Sequence, residues 1–179
     1  MSLKDLTWEH HKNAERQKFV KVMFSGKIDP KLYATFLFNQ HQAYDLLEAM
    51  AMAHGIFNDM PDVRRAPKIY EDFKELWKDD TLPDVKDSIK EYIQHLKTIK
   101  DDKQALMAHV YVRHMGDLSG GQMIRKKVPG SGHMFDFENI DYAKAVIRSR
   151  INDDMQEEAK KCFEFATKLF REMLNEETI

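Results

Sequence analysis

Met115-Gly116-Asp117-Leu118-Ser119-Gly120-Gly121-Gln122 interrupts a stretch, from about Asp102 to Lys127, that otherwise reads as one long helix. Three glycines in eight residues oppose that helix, each costing about 1 kcal/mol relative to alanine. What glycine supplies instead is backbone without a side chain, so the helix can bend and something can press against it. Gly116 and Gly120 are four residues apart and share one face. Arg113 and Asp117 have the same spacing on an adjoining face. A Gly-x-x-x-Gly pair serves either close helix packing or a bare surface for a flat ligand beside a carboxylate, and spacing alone leaves both open. A phosphate-binding loop is excluded, because no Gly-Lys-Ser/Thr ending and no preceding strand accompany the glycines.

The rest of the chain narrows the class. Its 179 residues fit one domain, 1–179, with room for a real core. Basic and acidic residues nearly balance, 28 against 30, which implies no nucleic-acid partner. The single cysteine, Cys162, allows no internal disulfide, fits a reducing compartment and reads as a packing residue. No apolar run approaches the roughly 18 residues of a membrane helix, and Met-Ser-Leu-Lys-Asp-Leu lacks the apolar segment of a signal peptide. A soluble cytoplasmic protein without a membrane anchor is expected.

Helical periodicity runs through nearly the whole sequence and alternating runs are few, which predicts an all-α, irregular multi-helix bundle. Around seven helices are expected. The first spans residues 2 to about 24; a long one runs from the Asp29-Pro30 cap to His54, with Gly55 as its stop. Helices over Lys68 to Lys78 and Asp84 to Thr98 follow, then the glycine-bearing helix capped at Asp101-Asp102. Pro129-Gly-Ser-Gly132 is a loop, and two last helices cover Tyr142 to Asn152 and Asp154 to Asn175.

Among eight histidines, His41, His54, His95, His109 and His133 each stand alone in sequence and read as surface or satisfied core residues. His11 is different. Lys4 lies seven residues before it and Glu15 four after, so the three share a helix face. That stripe is either a solvated salt-bridge row or a metal ligand with a supporting carboxylate and a cation for an acidic ligand. Lys144 and Arg148 repeat the four-residue spacing late in the chain, and read either as a solvated helix face or as two cations for an acidic ligand.

Tyr111-Val-Arg-His-Met-Gly-Asp-Leu-Ser-Gly-Gly-Gln122 resembles the signature of the haem oxygenases, closely and specifically. Leu3-Lys4-Asp-Leu-Thr7 through His11-Lys-Asn-Ala-Glu15 resembles the family's N-terminal helix, with His11, not His10, at the proximal-ligand position. Tyr44-Asp-Leu-Leu-Glu48, Lys144 through Asn152 and Glu157 through Phe170 resemble further family segments, in family order. The resemblance covers residues 3 to 170.

It implies haem b, as substrate and cofactor, held between the N-terminal helix and a glycine-kinked distal helix. His11 matches the iron ligand and Glu15 would hydrogen-bond its ring. Gly116 and Gly120 match the distal wall, with Ser119 supporting the bend. Lys4, Tyr111, Lys144 and Arg148 match propionate partners, and Phe163 a residue packed on the porphyrin. Asp117 matches the group that anchors distal water, with Arg113 and Tyr44 in the wider network. The implied reaction uses O2 and external electrons to cleave haem at the α-meso carbon, giving biliverdin IXα, carbon monoxide and ferrous iron.

No flavin or NAD motif occurs, so electrons come from a partner. Residues 1–28 carry six basic against three acidic side chains, and Arg125-Lys-Lys127 adds a second cluster, which suits an acidic donor. Similarity to the cyanobacterial, algal and phage branch implies ferredoxin, with a bilin reductase as a downstream partner. A haem-binding carrier or sensor of the same fold is the alternative. A di-iron bundle is disfavoured, because no Glu-x-x-His pair occurs. Two positions depart from the family pattern: His114 stands where an aromatic is usual, three residues before Asp117, and Ala166 where a polar residue is common.

Overall fold

The computed structural model describes residues 1–176. Ten α-helices occur among them, with short 3-10 turns and no strand. The N-terminal segment forms α1 (Leu3–Leu6), α2 (Trp8–Glu15) and α3 (Lys18–Phe24). Then come α4 (Pro30–Ala53), α5 (Ala66–Leu76), α6 (Asp87–Thr98), α7 (Lys103–Leu118), α8 (Gly121–Arg125), α9 (Ile140–Arg148) and α10 (Gln156–Met173). No described helix is long and apolar enough to cross a membrane.

The excess over seven helices has local causes. The expected helix over residues 2–24 breaks twice. At Thr7 the hydroxyl turns back to donate to the Leu3 carbonyl at 2.9 Å, and Gln17 adopts extended backbone (φ −64°, ψ 146°). The glycine-bearing helix stops at Leu118 and restarts at Gly121, because Ser119 leaves helical geometry (φ −103°, ψ −88°). It is broken there, not merely bent.

The 24-residue α4 is the central element. Asp29 caps it, accepting from the Leu32 N–H at 3.1 Å, with Pro30 at the first helical position. Ala34, Leu37, Ala43, Tyr44, Leu47 and Ala51 are buried along it, and α5, α6 and α7 pack against it. Gly55 follows its end in the left-handed region (φ +73°), the stop expected of it.

Two buried charges tie the elements together. Glu48, in the last third of α4, accepts from the backbone N–H of Arg65 at 2.6 Å and of Ala66 at 2.9 Å, capping α5 from outside its own chain segment. The same carboxylate meets His114 Nε2 of α7 at 2.8 Å, both side chains being fully buried. Arg65 is also fully buried, its guanidinium donating to the carbonyls of Asp62, Val63, Arg64, Met134 and Asp136 and lying over the Phe137 ring. Asp72 accepts from the N–H groups of His133 and Met134, at 2.9 and 2.8 Å, and so fixes the same loop to α5.

Removing one partner of a buried pair strands the other. Glu48→Ala is therefore expected to cost about 3–5 kcal/mol in urea unfolding. A loss below about 1 kcal/mol would mean that water replaces the carboxylate at the α5 N-terminus and His114 at little cost.

Candidate active site

The glycine stretch presents two different surfaces. A Cβ placed on Gly116 would meet nothing within 4 Å, and one on Gly120 only the Gly116 carbonyl at 3.9 Å. Both residues are exposed. The Gly-x-x-x-Gly pair is thus a bare wall and not a helix-packing contact. Gly121 is the opposite case: a Cβ there would come within 2.6 Å of the Phe135 ring. Phe135 belongs to the loop clamped by Arg65 and Asp72, so the restart of the chain at α8 is pressed against the core.

Behind the bare wall lies a buried polar group. Asp117 Oδ2 accepts from the Tyr44 hydroxyl at 2.8 Å, and both side chains are buried. Burial pushes the Asp117 carboxyl up to about 6 from its ordinary 3.8, against the opposing pull of His114, the Tyr44 hydrogen bond, Arg65 and Arg113. Burial likewise raises the Tyr44 phenol well above its ordinary range, so it stays a hydrogen-bond donor. Arg113, buried beside them, donates Nε–H to the Tyr92 hydroxyl at 3.1 Å, with its guanidinium 4.3 Å from the Tyr92 ring and 5.6 Å from the Tyr44 ring. Tyr44, Arg113 and Asp117 therefore form one cluster.

His114 does not join it by hydrogen bond. Its Nδ1 lies 3.2 Å from the Val110 carbonyl and its Nε2 on Glu48, while the ring packs 5.3 Å from those of Tyr44 and Phe57. It is a buried structural histidine that steadies Tyr44.

On α2, His11 Nε2 lies 2.7 Å from Glu15 Oε1, as the four-residue spacing anticipates. The imidazole stacks on Phe163 of α10 (5.3 Å, 15°) and meets the Trp8 ring edge-on at 5.3 Å. Lys4 Nζ stands 6.0 Å from that Trp8 ring, and the two line a cleft of about 270 Å³ with Asp5. His10 points elsewhere, to Glu164 at 3.2 Å. On the other side, burial raises the Tyr111 phenol while the charge of Arg148 opposes it, so these two are neighbours across α7 and α9. Lys144 sits one turn before Arg148 on α9. Among the described residues, Lys4, Lys144 and Arg148 have no carboxylate within ion-pair distance.

The two halves share one support. α10 packs on both α2 and α7, and its consecutive residues Cys162 and Phe163 reach different groups. Phe163 touches His11, while Cys162 Sγ lies 3.9 Å from the Tyr92 hydroxyl that Arg113 holds. Cys162 is buried as expected, yet it borders the polar cluster and is more than packing.

Several members escape a sequence reading. Tyr92 is one, although a phenol in the buried Ile89, Tyr92, Leu96 stripe demands a polar partner. His95 and His109 do not stand alone: both Nε2 atoms lie 2.9 Å from Glu158 Oε2. Burial by itself would raise the Glu158 carboxyl, but the hydrogen bonds to His109 and His95 outweigh it and hold it at about 2. Glu48 was legible only as part of a segment, not as the anchor of α5.

Comparison with known proteins gives one consistent answer. The family described as Heme oxygenase matches residues 1–172. Heme oxygenase 2 of Macaca fascicularis is 30% identical over 96% of this chain, which spans 64% of that protein's length. The solved heme oxygenase of Leptospira interrogans is 28% identical with a TM-score of 0.80, covering 96% of this chain and all of that one. Heme oxygenase-2 of Synechocystis, solved with heme and NO, is 25% identical with a TM-score of 0.82, over 96% of this chain and 83% of that one. The chain belongs to the haem oxygenase family.

Proposed function

We propose that this protein opens haem oxidatively, yielding biliverdin IXα, carbon monoxide and ferrous iron from O2 and electrons delivered by a partner. The observation that carries the reading is the bare, exposed Gly116 wall backed by a buried carboxylate, Asp117, held by the Tyr44 hydroxyl. Haem binding is supported by the family and by the heme-bound Synechocystis relative.

The residues present fit haem on three grounds. Glu15 engages one ring nitrogen of His11, which places the imidazole proton there and leaves the lone pair on the other nitrogen for iron. In this rotamer the carboxylate holds Nε2, so iron would be taken at Nδ1, or at Nε2 after a half-turn of the ring. A porphyrin face needs a wall without Cβ atoms in its way, which Gly116 and Gly120 supply. Propionates need cations not already tied up in ion pairs, and among the described residues Lys4, Lys144 and Arg148 answer that, with Tyr111 beside Arg148. Phe163 packs on the proximal imidazole and sets its tilt.

Haem, when bound, supplies the iron at which O2 is reduced and the carbon framework that is oxidised. The protein's share is proton management and positioning. Gly116 and Gly120 bring no side chain to the wall, so proton handling would fall to the groups behind it. Asp117 exchanges protons with water entering over Gly116, at a carboxyl tuned to about 6 and so near the working pH. Tyr44 keeps that carboxyl in place and Arg113 closes the buried side. Lys4, Lys144 and Arg148 would hold the propionates and so orient the ring, which is the basis for expecting α-meso selectivity. Ser119 ends the helix where the wall needs to turn.

For the electron donor, an acidic protein of the ferredoxin class is the partner we propose, and a bilin reductase the consumer of the product. The basic residues of 1–28 and of Arg125–Lys127 support this, since Lys127 Cδ comes within 4.0 Å of the Cβ position at Gly26 and joins the two patches.

Asp117→Ala is expected to bind haemin with an ordinary Soret band, yet to lose biliverdin formation by about 100-fold or more with reduced ferredoxin. Undiminished biliverdin output would remove Asp117 from proton delivery. His11→Ala should change the ferric haem spectrum, and an unchanged one would assign the iron to His10. In haem-free protein the raised Asp117 carboxyl makes the folded state hold a proton that the unfolded chain has released between pH of about 6 and 4. Wild type should therefore gain stability over Asp117→Asn as pH falls through that window. Parallel urea-unfolding curves across the window would contradict the assignment.

A further inference from the structure

We propose that His95, His109 and Glu158 form a binding site for one divalent first-row transition-metal cation, zinc or ferrous iron in class. The three side chains come from α6, α7 and α10, and their ligand atoms all lie within 4.8 Å of one another. Both imidazoles present Nε2 to the same carboxylate oxygen at 2.9 Å. Tetrahedral ligand atoms at about 2.0–2.1 Å from zinc stand roughly 3.3 Å apart, so these contacts need to widen by only a few tenths of an ångström. Two imidazoles and one carboxylate select a borderline cation over calcium or magnesium, which prefer all-oxygen sites.

A metal-binding histidine needs its other ring nitrogen to donate a hydrogen bond, and His109 has that partner built in. Its Nδ1 lies 2.8 Å from the Tyr92 hydroxyl. That oxygen also accepts from Arg113 Nε at 3.1 Å, and its own proton can turn to Cys162 Sγ, 3.9 Å away. Tyr92 can thus accept from both His109 and Arg113 while donating to sulfur. In that arrangement one His109 proton sits on Nδ1, and a bound metal would displace the other, which Nε2 donates to Glu158. The ring cannot turn away, because His109 is fully buried.

The site also has an entry. Glu158 borders a cavity of about 240 Å³ whose other walls include Asp102, Gln104 and Asp154, two further carboxylates that attract a cation. Lys161 approaches only the other Glu158 oxygen, Oε1, at 3.7 Å, and its side chain is half exposed. The Glu158 carboxylate is engaged by the two proposed ligand histidines themselves, an arrangement that a second cluster, Asp72, Glu75 and His133, does not offer. Its carboxylates are occupied by the N–H groups of His133, Met134 and Ser131 and by the Ser131 hydroxyl, so it is a loop clamp.

The inference stands apart from the haem chemistry and is tested by binding. Metal-freed protein titrated with zinc against a chromogenic chelator should take up one equivalent with micromolar or tighter affinity. His95→Ala and the shape-preserving Glu158→Gln should each lose that equivalent while still giving the wild-type Soret band with haemin. His133→Ala and His11→Ala should retain it. Cobalt bound in place of zinc should show visible ligand-field bands of a nitrogen and oxygen site, absent in His95→Ala. No zinc uptake by wild type, uptake kept by both His95→Ala and Glu158→Gln, or the equivalent lost instead in His11→Ala or His133→Ala would each overturn the proposal.

Discussion

The pair formed by Glu48 and His114 sets the geometry on which the rest depends. Buried charge tolerates little displacement, because any gap leaves an ionised group without water or partner. The carboxylate sits in the last third of α4 and the imidazole near the end of α7, so the contact fixes how these two helices slide past one another. One turn earlier on α4 is Tyr44; three residues later on α7 is Asp117, and their hydrogen bond of 2.8 Å falls where that register places it. The two contacts, 48 with 114 and 44 with 117, run in opposite directions along the chain, as antiparallel helices require. His114 also packs its ring against Tyr44, so the same side chain locks register and aims the phenol. The departure from an aromatic residue at His114 is thereby explained as a structural device.

α10 performs a parallel service. Glu158 and Cys162 are four residues apart and share a face, toward His109 and Tyr92, while Phe163 turns toward His11. One rigid element therefore holds the imidazole on α2, the arginine–tyrosine contact behind α7 and the histidine pair bridging α6 and α7. Precision comes from helices and not loops, which holds these side chains to small displacements.

What could be read from sequence was whatever local chemistry dictates. Asp29 before Pro30 and Asp102 before an apolar repeat begin helices where expected, since a cap satisfies its own N-terminal N–H groups whatever the fold. The pairing of His11 with Glu15 follows from helical spacing alone. The N-terminal breaks were missed because Thr7 and Gln17 interrupt a periodic stripe without glycine or proline to mark them. The long-range contacts were missed for a different reason. His95 and His109 look solitary because nothing local links them to each other or to Glu158 on a third helix, and nothing in the sequence marks Arg65 as ringed by five carbonyls. Burial of a polar group is decided by tertiary packing, which periodicity does not record.

The glycines show how the two kinds of information combine. Sequence grouped Gly116, Gly120 and Gly121 as a single weakness in a helix, with helix packing and ligand binding as rival purposes. The structure separates them. Gly121 answers the packing demand, lying so close to Phe135 that no side chain fits. Gly116 meets no packing demand, with open space where its Cβ would stand. The two conditions sit side by side because Ser119 ends the helix between them. The chain must leave α7 bare on its exposed side and, within a few residues, press back against the core. Substituting Gly116 would leave the protein's own packing untouched and obstruct only what comes from outside, whereas substituting Gly121 would displace Phe135 and strain the loop held by Arg65 and Asp72. A residue whose side chain is missing without any internal need for its absence is what the proposed haem face requires.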